Sequence, residues 1–170
     1  MSVEARYPAW KYLEIVQELE NEEKWTEAID LCKEAVRFYP NDSDILCSLA
    51  VIQDKQGDAE AAVISYQQLV KSDLKQPIWV YLSLGNLLVE QERFDESIAI
   101  CQTAKSLYSK NLKIHQLLGS VAEKKGDSSQ AIESYYRVIE INPQRPTWLY
   151  LSLGSLLVEQ EKFDESIAVY

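Results

Sequence analysis

A chain of 170 residues is about one domain's worth, long enough to bury a core without disulfides or metals. Hydrophobic residues make up 46% and charged residues 26%, with only five Gly and five Pro, which excludes a linker or a disordered tail. The 27 Asp and Glu outweigh 17 Lys and Arg for a formal net charge of −10, the wrong sign for nucleic acid or for an anionic membrane surface.

The amino-terminal stretch "MSVEARYPAWKYLEIV" has neither a basic start followed by an apolar run nor a small-residue cleavage site, so the chain is expected to stay in the cytoplasm. The uncharged run "QPIWVYLSLGNLLV", residues 76–89, holds 14 residues, whereas a membrane-spanning helix needs about 20. Three cysteines, Cys32, Cys47 and Cys101, are odd in number and lack metal-ligand spacing, which reads as reduced thiols.

In chain order, five units of helical-hairpin pattern follow one another. Small residues preceded by acidic or polar ones recur at Ala28, Ala62, Ser97, Ala131 and Ser166, spaced by 34, 35, 34 and 35. The units are expected at approximately 8–41, 42–75, 76–110, 111–144 and 145–170 within one array. Each holds two segments with apolar residues at helical spacing, as in Tyr81, Leu84, Gly85 and Leu88 followed by Phe94, Ile98 and Cys101. Units three and five are near copies: "PIWVYLSLGNLLVEQERFDESIAI" from Pro77 and "PTWLYLSLGSLLVEQEKFDESIAV" from Pro146 agree at 19 of 24 positions, 69 residues apart. A fainter copy opens unit one with Pro8, Trp10, Tyr12 and Leu13. In units two and four, Gly57 and Gly126 suit a left-handed helix end, and Asp58 and Asp127 suit the next helix cap. Pro40 and Pro143 are expected to close units one and four, and Pro8, Pro77 and Pro146 to stand in the first turns of the helices that open units one, three and five. The last copy breaks off in its second helix, which predicts a truncated repeat belonging to a longer array or a larger protein.

With these residues in register, the chain resembles the tetratricopeptide repeat family, whose unit is a 34-residue helix pair with a W-x2-L-G-x2-Y pattern followed by Ala, an aromatic residue and Pro. Unit four carries Leu118, Gly119, Gly126, Ala131, Tyr135 and Pro143, unit three Tyr81, Leu84, Gly85, Leu88, Phe94, Ser97 and Ala104, and unit two Leu49, Ala50, Gly57, Ala62 and Tyr66. The resemblance implies an all-α fold, a right-handed α-solenoid of antiparallel helix pairs. The P-x-W-x-Y-L-S-L-G unit is similar to arrays found ahead of bacterial glycosyl-, sulfo- and methyltransferase domains, which implies a substrate-recognition arm as one alternative.

At about 100° per residue, Tyr81, Leu84, Gly85 and Leu88 form a packing stripe, and Trp79, Leu82, Asn86 and Val89 form a second stripe on another face. Unit five repeats the second stripe as Trp148, Leu151, Ser155 and Val158, and unit one has Trp10, Leu13, Gln17 and Glu20. The even units place Asp44, Cys47, Val51 and Asp54, and Lys113, Gln116, Ser120 and Glu123, at those positions. By resemblance this stripe lines a concave groove. Each tryptophan could pack on a neighbouring unit, since aromatic rings bury large areas, or anchor a partner, since contiguous exposed apolar surface marks interfaces. An extended peptide or amphipathic helix would suit the groove, with Asn86, Gln116 and Ser155 bonding between the anchors. The Lys, Arg and Asn clamp with which some family members hold acidic tails is replaced by Leu13, Gln17, Ser48, Trp79 and Ser83. A protein or peptide segment that is neutral or basic is therefore expected, with Glu20, Asp44, Asp54 and Glu123 nearby. Self-association through the open ends of the array is a further alternative.

Nothing in the pattern calls for a cofactor, a metal or an enzyme. His115 is the single histidine and stands in the slot of Tyr81 and Tyr150, so it is expected to be structural. Cys32 and Cys101 share the slot of Tyr66 and Tyr135 and read as buried fillers, whereas Cys47 could face the groove. The acidic run "ELENEEKW" at 18–25 lacks an oxygen-ligand loop and reads as a solvated face.

Overall fold

The computed structural model describes residues 5–142 and 147–169. Among these, every regular element is a helix: α1 (Ala9–Asn21), α2 (Trp25–Phe38), α3 (Ser43–Gln56), α4 (Ala59–Ser72), α5 (Ile78–Glu90), α6 (Phe94–Leu107), α7 (Leu112–Lys125), α8 (Ser128–Ile141), α9 (Thr147–Glu159) and α10 (Phe163–Val169). They form the five hairpins of an all-α solenoid. No described helix is long and apolar enough to cross a membrane.

The chain divides within α5 into two compact units, Met1–Val80 and Tyr81–Tyr170. In the first, α1 packs on α2 and α3, α2 on α3, and α3 on α4. Its interior includes Val16, Ala28, Ile29, Cys32, Leu49 and Ile52, and beside them Tyr12, Ala35 and Ile45. In the second, α6 packs on α7, α7 on α8, α8 on α9 and α9 on α10. One of its clusters joins α6 to α7 through Ile98, Cys101, Leu118 and Val121. Another joins α8 to α9 through Ile132, Tyr135, Val138, Leu149, Leu153 and Leu156.

The 3.6-residue period explains which side chains go inward. Tyr81, Leu84 and Leu88 are fully buried, and Gly85 with them. A Cβ added to Gly85 would come within 2.8 Å of Leu117 Cδ2, so the missing side chain is what lets α7 approach α5. The recurrent small residues are the matching contact on the second helix of each pair. Ala28, Ala62, Ala131 and Ser97 are fully buried. Ser97 Oγ donates to the Gly85 carbonyl at 2.9 Å and Ser166 Oγ to the Gly154 carbonyl at 3.2 Å, so the two serines tie the helices of units three and five by the same bond.

All five hairpin turns share one geometry. The left-handed residue is Gly57 or Gly126 (φ 84°) in the even units and Glu23, Glu92 or Glu161 (φ 57–58°) in the odd ones. Each turn closes with paired backbone bonds, for example Gly57 N to Asp54 O and Asp58 N to Gln53 O, or Glu92 N to Val89 O and Arg93 N to Leu88 O. Asp58 and Asp127 accept from the backbone of Ala61 and Gln130 as caps. Asp42 and Asn111 cap α3 and α7 in the same way.

Pro8 and Pro77 stand one residue ahead of α1 and α5 rather than inside the first turn, a shift within the usual uncertainty of helix ends. Pro143 and Pro146 lie outside the described residues. The alternation of 34 and 35 arises between units: five residues, 73–77, join α4 to α5, whereas four join α2 to α3 and α6 to α7.

Candidate interaction surface

Four helices bring polar and aromatic groups to one concave surface in the second unit. The first helices of hairpins three and four contribute Leu82 and Asn86 from α5, and Lys113, Gln116, Leu117, Ser120 and Glu123 from α7. From α9 come Trp148 and Ser152, and from α8 comes Tyr135; together they line an open cavity of about 500 Å³.

The wall at Trp148 is built by ring packing. Trp148 meets Tyr135 edge to face, centroids 5.9 Å apart at 76°, a geometry worth about 0.5–1.5 kcal/mol beyond area burial. Tyr135 in turn donates its hydroxyl to Glu123 Oε2 at 2.6 Å. Burial first, and the Glu123 carboxylate second, hold the Tyr135 phenol well above the usual tyrosine range, so it is a neutral donor that fixes the Glu123 carboxylate. Lys113 is the cation and Glu123 the anion of this lining.

Of the residues anticipated for a groove, Leu82, Asn86, Gln116, Ser120 and Trp148 line this cavity together. Leu151, Ser155 and Val158 do not; they are exposed on α9. Val89 packs half-buried against the cluster between α6 and α7. The difference between Leu82, which lines the cavity, and its copy Leu151, which does not, follows from position. The cavity lies beyond α5 toward α7 but ahead of α9, so the two copies turn opposite flanks to it, and α9 offers Trp148 and Ser152 instead. Tyr135 escaped the sequence argument because its slot read as core, and Leu117 because it lies on neither helical stripe; each is a buried or half-buried side chain with one edge on the cavity.

The remaining anticipated residues belong to the first unit. Trp10 is 65% exposed and Trp79 42% exposed, the same value as Trp148. Trp79 packs edge to face on Tyr66, centroids 6.5 Å apart, which repeats the arrangement of Trp148 on Tyr135. The packing and exposure readings therefore hold for the same rings: one edge meets the preceding hairpin and the rest stays open. Leu13 is half-buried beside Tyr12, Ala35 and Ile45, and Gln17 is exposed. Glu20 is paired with Lys55 at 3.2 Å, which offsets part of the acidity there.

Groups with reactive potential lie elsewhere. His115 is buried, and its Nε2 faces the Ser109 carbonyl at 2.9 Å. Because a carbonyl only accepts, Nε2 carries the proton in that bond, and Nδ1 is buried without a protein partner. Burial pushes the Cys32 and Cys101 thiols up to about 12 and raises half-buried Cys47 as well. Among the described residues, no group of three or more His, Cys, Asp or Glu could hold a metal ion.

Paired helices stacked through small-residue contacts are the build of an interaction scaffold. The chain belongs to the tetratricopeptide repeat family: models described as tetratricopeptide repeat match residues 31–64, 80–111 and 112–145. Among solved structures, that of MamA is similar over 95% of this chain and 87% of its own, with a TM-score of 0.80 and 23% identity. YrrB, described as a tetratricopeptide repeat protein with an unusual peptide-binding site, is similar over 95% and 82%, with a TM-score of 0.78 and 14% identity. PilF of Pseudomonas aeruginosa is similar over 95% and 73%, with a TM-score of 0.65 and 21% identity. At these identities the likeness is one of fold. No curated protein sequence matches the chain.

Proposed function

We propose that the concave surface of residues 81–170 holds a neutral or basic protein segment, extended or helical, with Trp148 as its apolar anchor. The observation that carries this reading is the convergence of Leu82, Asn86, Gln116, Ser120 and Trp148 on one cavity of about 500 Å³. Apolar anchoring beside a few amide and hydroxyl groups is the usual composition of a peptide site. Glu123 gives a basic residue of the segment a charged partner, already oriented by the Tyr135 hydroxyl. The peptide-binding site described for YrrB, a protein of the same fold, supports the same reading.

Panning a random peptide library on the full chain tests it. Selected peptides are expected to bind Trp148→Ala and Gln116→Ala variants at least tenfold more weakly, since truncating an anchor aromatic removes a hot spot. Helicity by circular dichroism should stay near wild type, because the Trp148 ring is 42% exposed. Peptides that bind both variants as tightly as wild type would sink the proposal, as would a collapse of helicity in Trp148→Ala.

A further inference from the structure

The cavity-facing side of α7 carries its charges in an order that helix stability does not ask for. Lys113, Gln116, Ser120 and Glu123 follow one another at helical intervals and line the cavity together. Lys113 is the second residue of α7 and Glu123 the third from its end. A helix dipole favours anions at the amino end and cations at the carboxyl end, so each charge stands at the end that disfavours it. The counterpart helix α3 has Asp44 and Asp54 at these two positions, so the order of Lys and Glu is not a property of the repeat. Whereas Lys125 of the same helix pairs with Asp95 at 2.6 Å, Lys113 has no ion-pair partner among the described residues. The Glu123 carboxylate accepts the Tyr135 hydroxyl on Oε2, which leaves most of its lone pairs open. Between the two charges, the side chains of Gln116 and Ser120 have no hydrogen-bond partner among the described residues.

We infer that this surface selects an extended protein segment that is neutral by charge pairing, with an acidic side chain at Lys113 and a basic side chain at Glu123. The inference rests on the Trp148 cavity being a segment-binding site and adds the order of charges within the segment. Lys113 and Glu123 are ten residues apart on one helix, about 15 Å at 1.5 Å per residue. A segment lying along α7 in extended form covers that span in about four or five residues at roughly 3.3 Å each, and residues four apart share one face of it. The open amide and hydroxyl of Gln116 and Ser120 favour an extended segment over a helical one. An extended backbone still has N–H and C=O groups to offer them, whereas a helix has already paired its own. The dipole of α7 adds to both attractions, since its positive end lies with Lys113 and its negative end with Glu123.

The test pans one random peptide library on the full chain and on a double variant, Lys113→Glu with Glu123→Lys. The exchange keeps the net charge at −10 and sets each charge at the helix end that favours it, so thermal unfolding is expected to stay near wild type. Peptides selected on the wild type should carry an acidic and a basic residue about four or five apart in one order, and those selected on the double variant should carry the reverse order. A wild-type selection should bind the double variant about tenfold more weakly, since two attractions become two repulsions, and the loss should shrink at high salt. Lys113→Gln, a change at an exposed side chain, should remove the preference for the acidic residue alone. The inference is overturned if Trp148-dependent peptides carry no such charge pair, or if both proteins select the same order. It is also overturned if the charges stand about ten or eleven apart, the spacing of a helical segment. In each of these cases the segment-binding reading stands; if no selected peptide depends on Trp148, both fall.

Discussion

Cys32 and Cys101 show how one residue type is made inert by its slot. Both occupy the position that Tyr66 and Tyr135 fill in the even units, and both thiols are pushed up to about 12 by burial. Cys47, half-buried on α3 beside Asp44, is raised less far. In the native protein at pH 8, an aromatic disulfide reagent should therefore titrate one thiol per chain, Cys47, with the other two reacting only on unfolding. The sign of the pH effect follows. An unfolded Cys ionises near 9 and the folded pair near 12, so in this window the folded state holds protons that the unfolded state has released. Stability is full below about pH 9 and falls as pH rises toward 12, which should appear as a declining urea midpoint. Flat midpoints from pH 8.5 to 11 would contradict the burial of these thiols. The tryptophans make a related point: edge-to-face contact with Tyr66 or Tyr135 holds the ring in place without covering it.

At the scale of the element, the hairpin turn is the recurring device, and the odd units build it from the wrong residue. Glu92 holds φ 57° where Gly126 holds φ 84°. A left-handed backbone costs an L residue about 1–2 kcal/mol, while glycine gives back roughly 0.5–1 kcal/mol through its freer unfolded chain. Glu92→Gly should therefore raise stability by about 0.5–1 kcal/mol, read as a higher urea midpoint at constant slope. A fall would mean that the Glu92 side chain contributes more than its backbone strain costs. The caps offer the opposite case. Asp127 accepts from Gln130 N at 3.0 Å, and Asp127→Ala should cost about 1 kcal/mol, measured by the same titration.

For the whole molecule, units three and five are a comparison of one sequence in two environments. Residues 94–99 and 163–168 read FDESIA in both. Helix α6 lies under α7, which packs on it through Leu118 and Val121, whereas Phe163 and Ile167 of α10 are open. Hydrogen exchange should accordingly protect the amides of α6 well beyond those of α10, despite equal intrinsic rates, because opening a covered helix requires breaking its tertiary contacts. Equal protection in the two segments would mean that local helix stability, and not stacking, sets the opening free energy.

Much of this was legible in the order of residues. Small side chains at Ala28, Ala62, Ser97, Ala131 and Ser166 mark where helices touch, and Gly57 and Gly126 mark turns, because each depends on local geometry that recurs at a fixed period. Glu23, Glu92 and Glu161 gave no such sign, since a left-handed glutamate is held by its two closing backbone bonds and not by its own preference. The inward stripe of Tyr81, Leu84, Gly85 and Leu88 was equally plain from the helical period. What the period could not decide was the fate of the second stripe. Leu82 reaches the cavity and Leu151 does not, and Ile98 is covered while Ile167 is open, although each pair is the same residue in the same local sequence. Local sequence determines which side of a helix is apolar; only the helix that packs beside it, brought there by residues far along the chain, determines whether that side becomes core or surface.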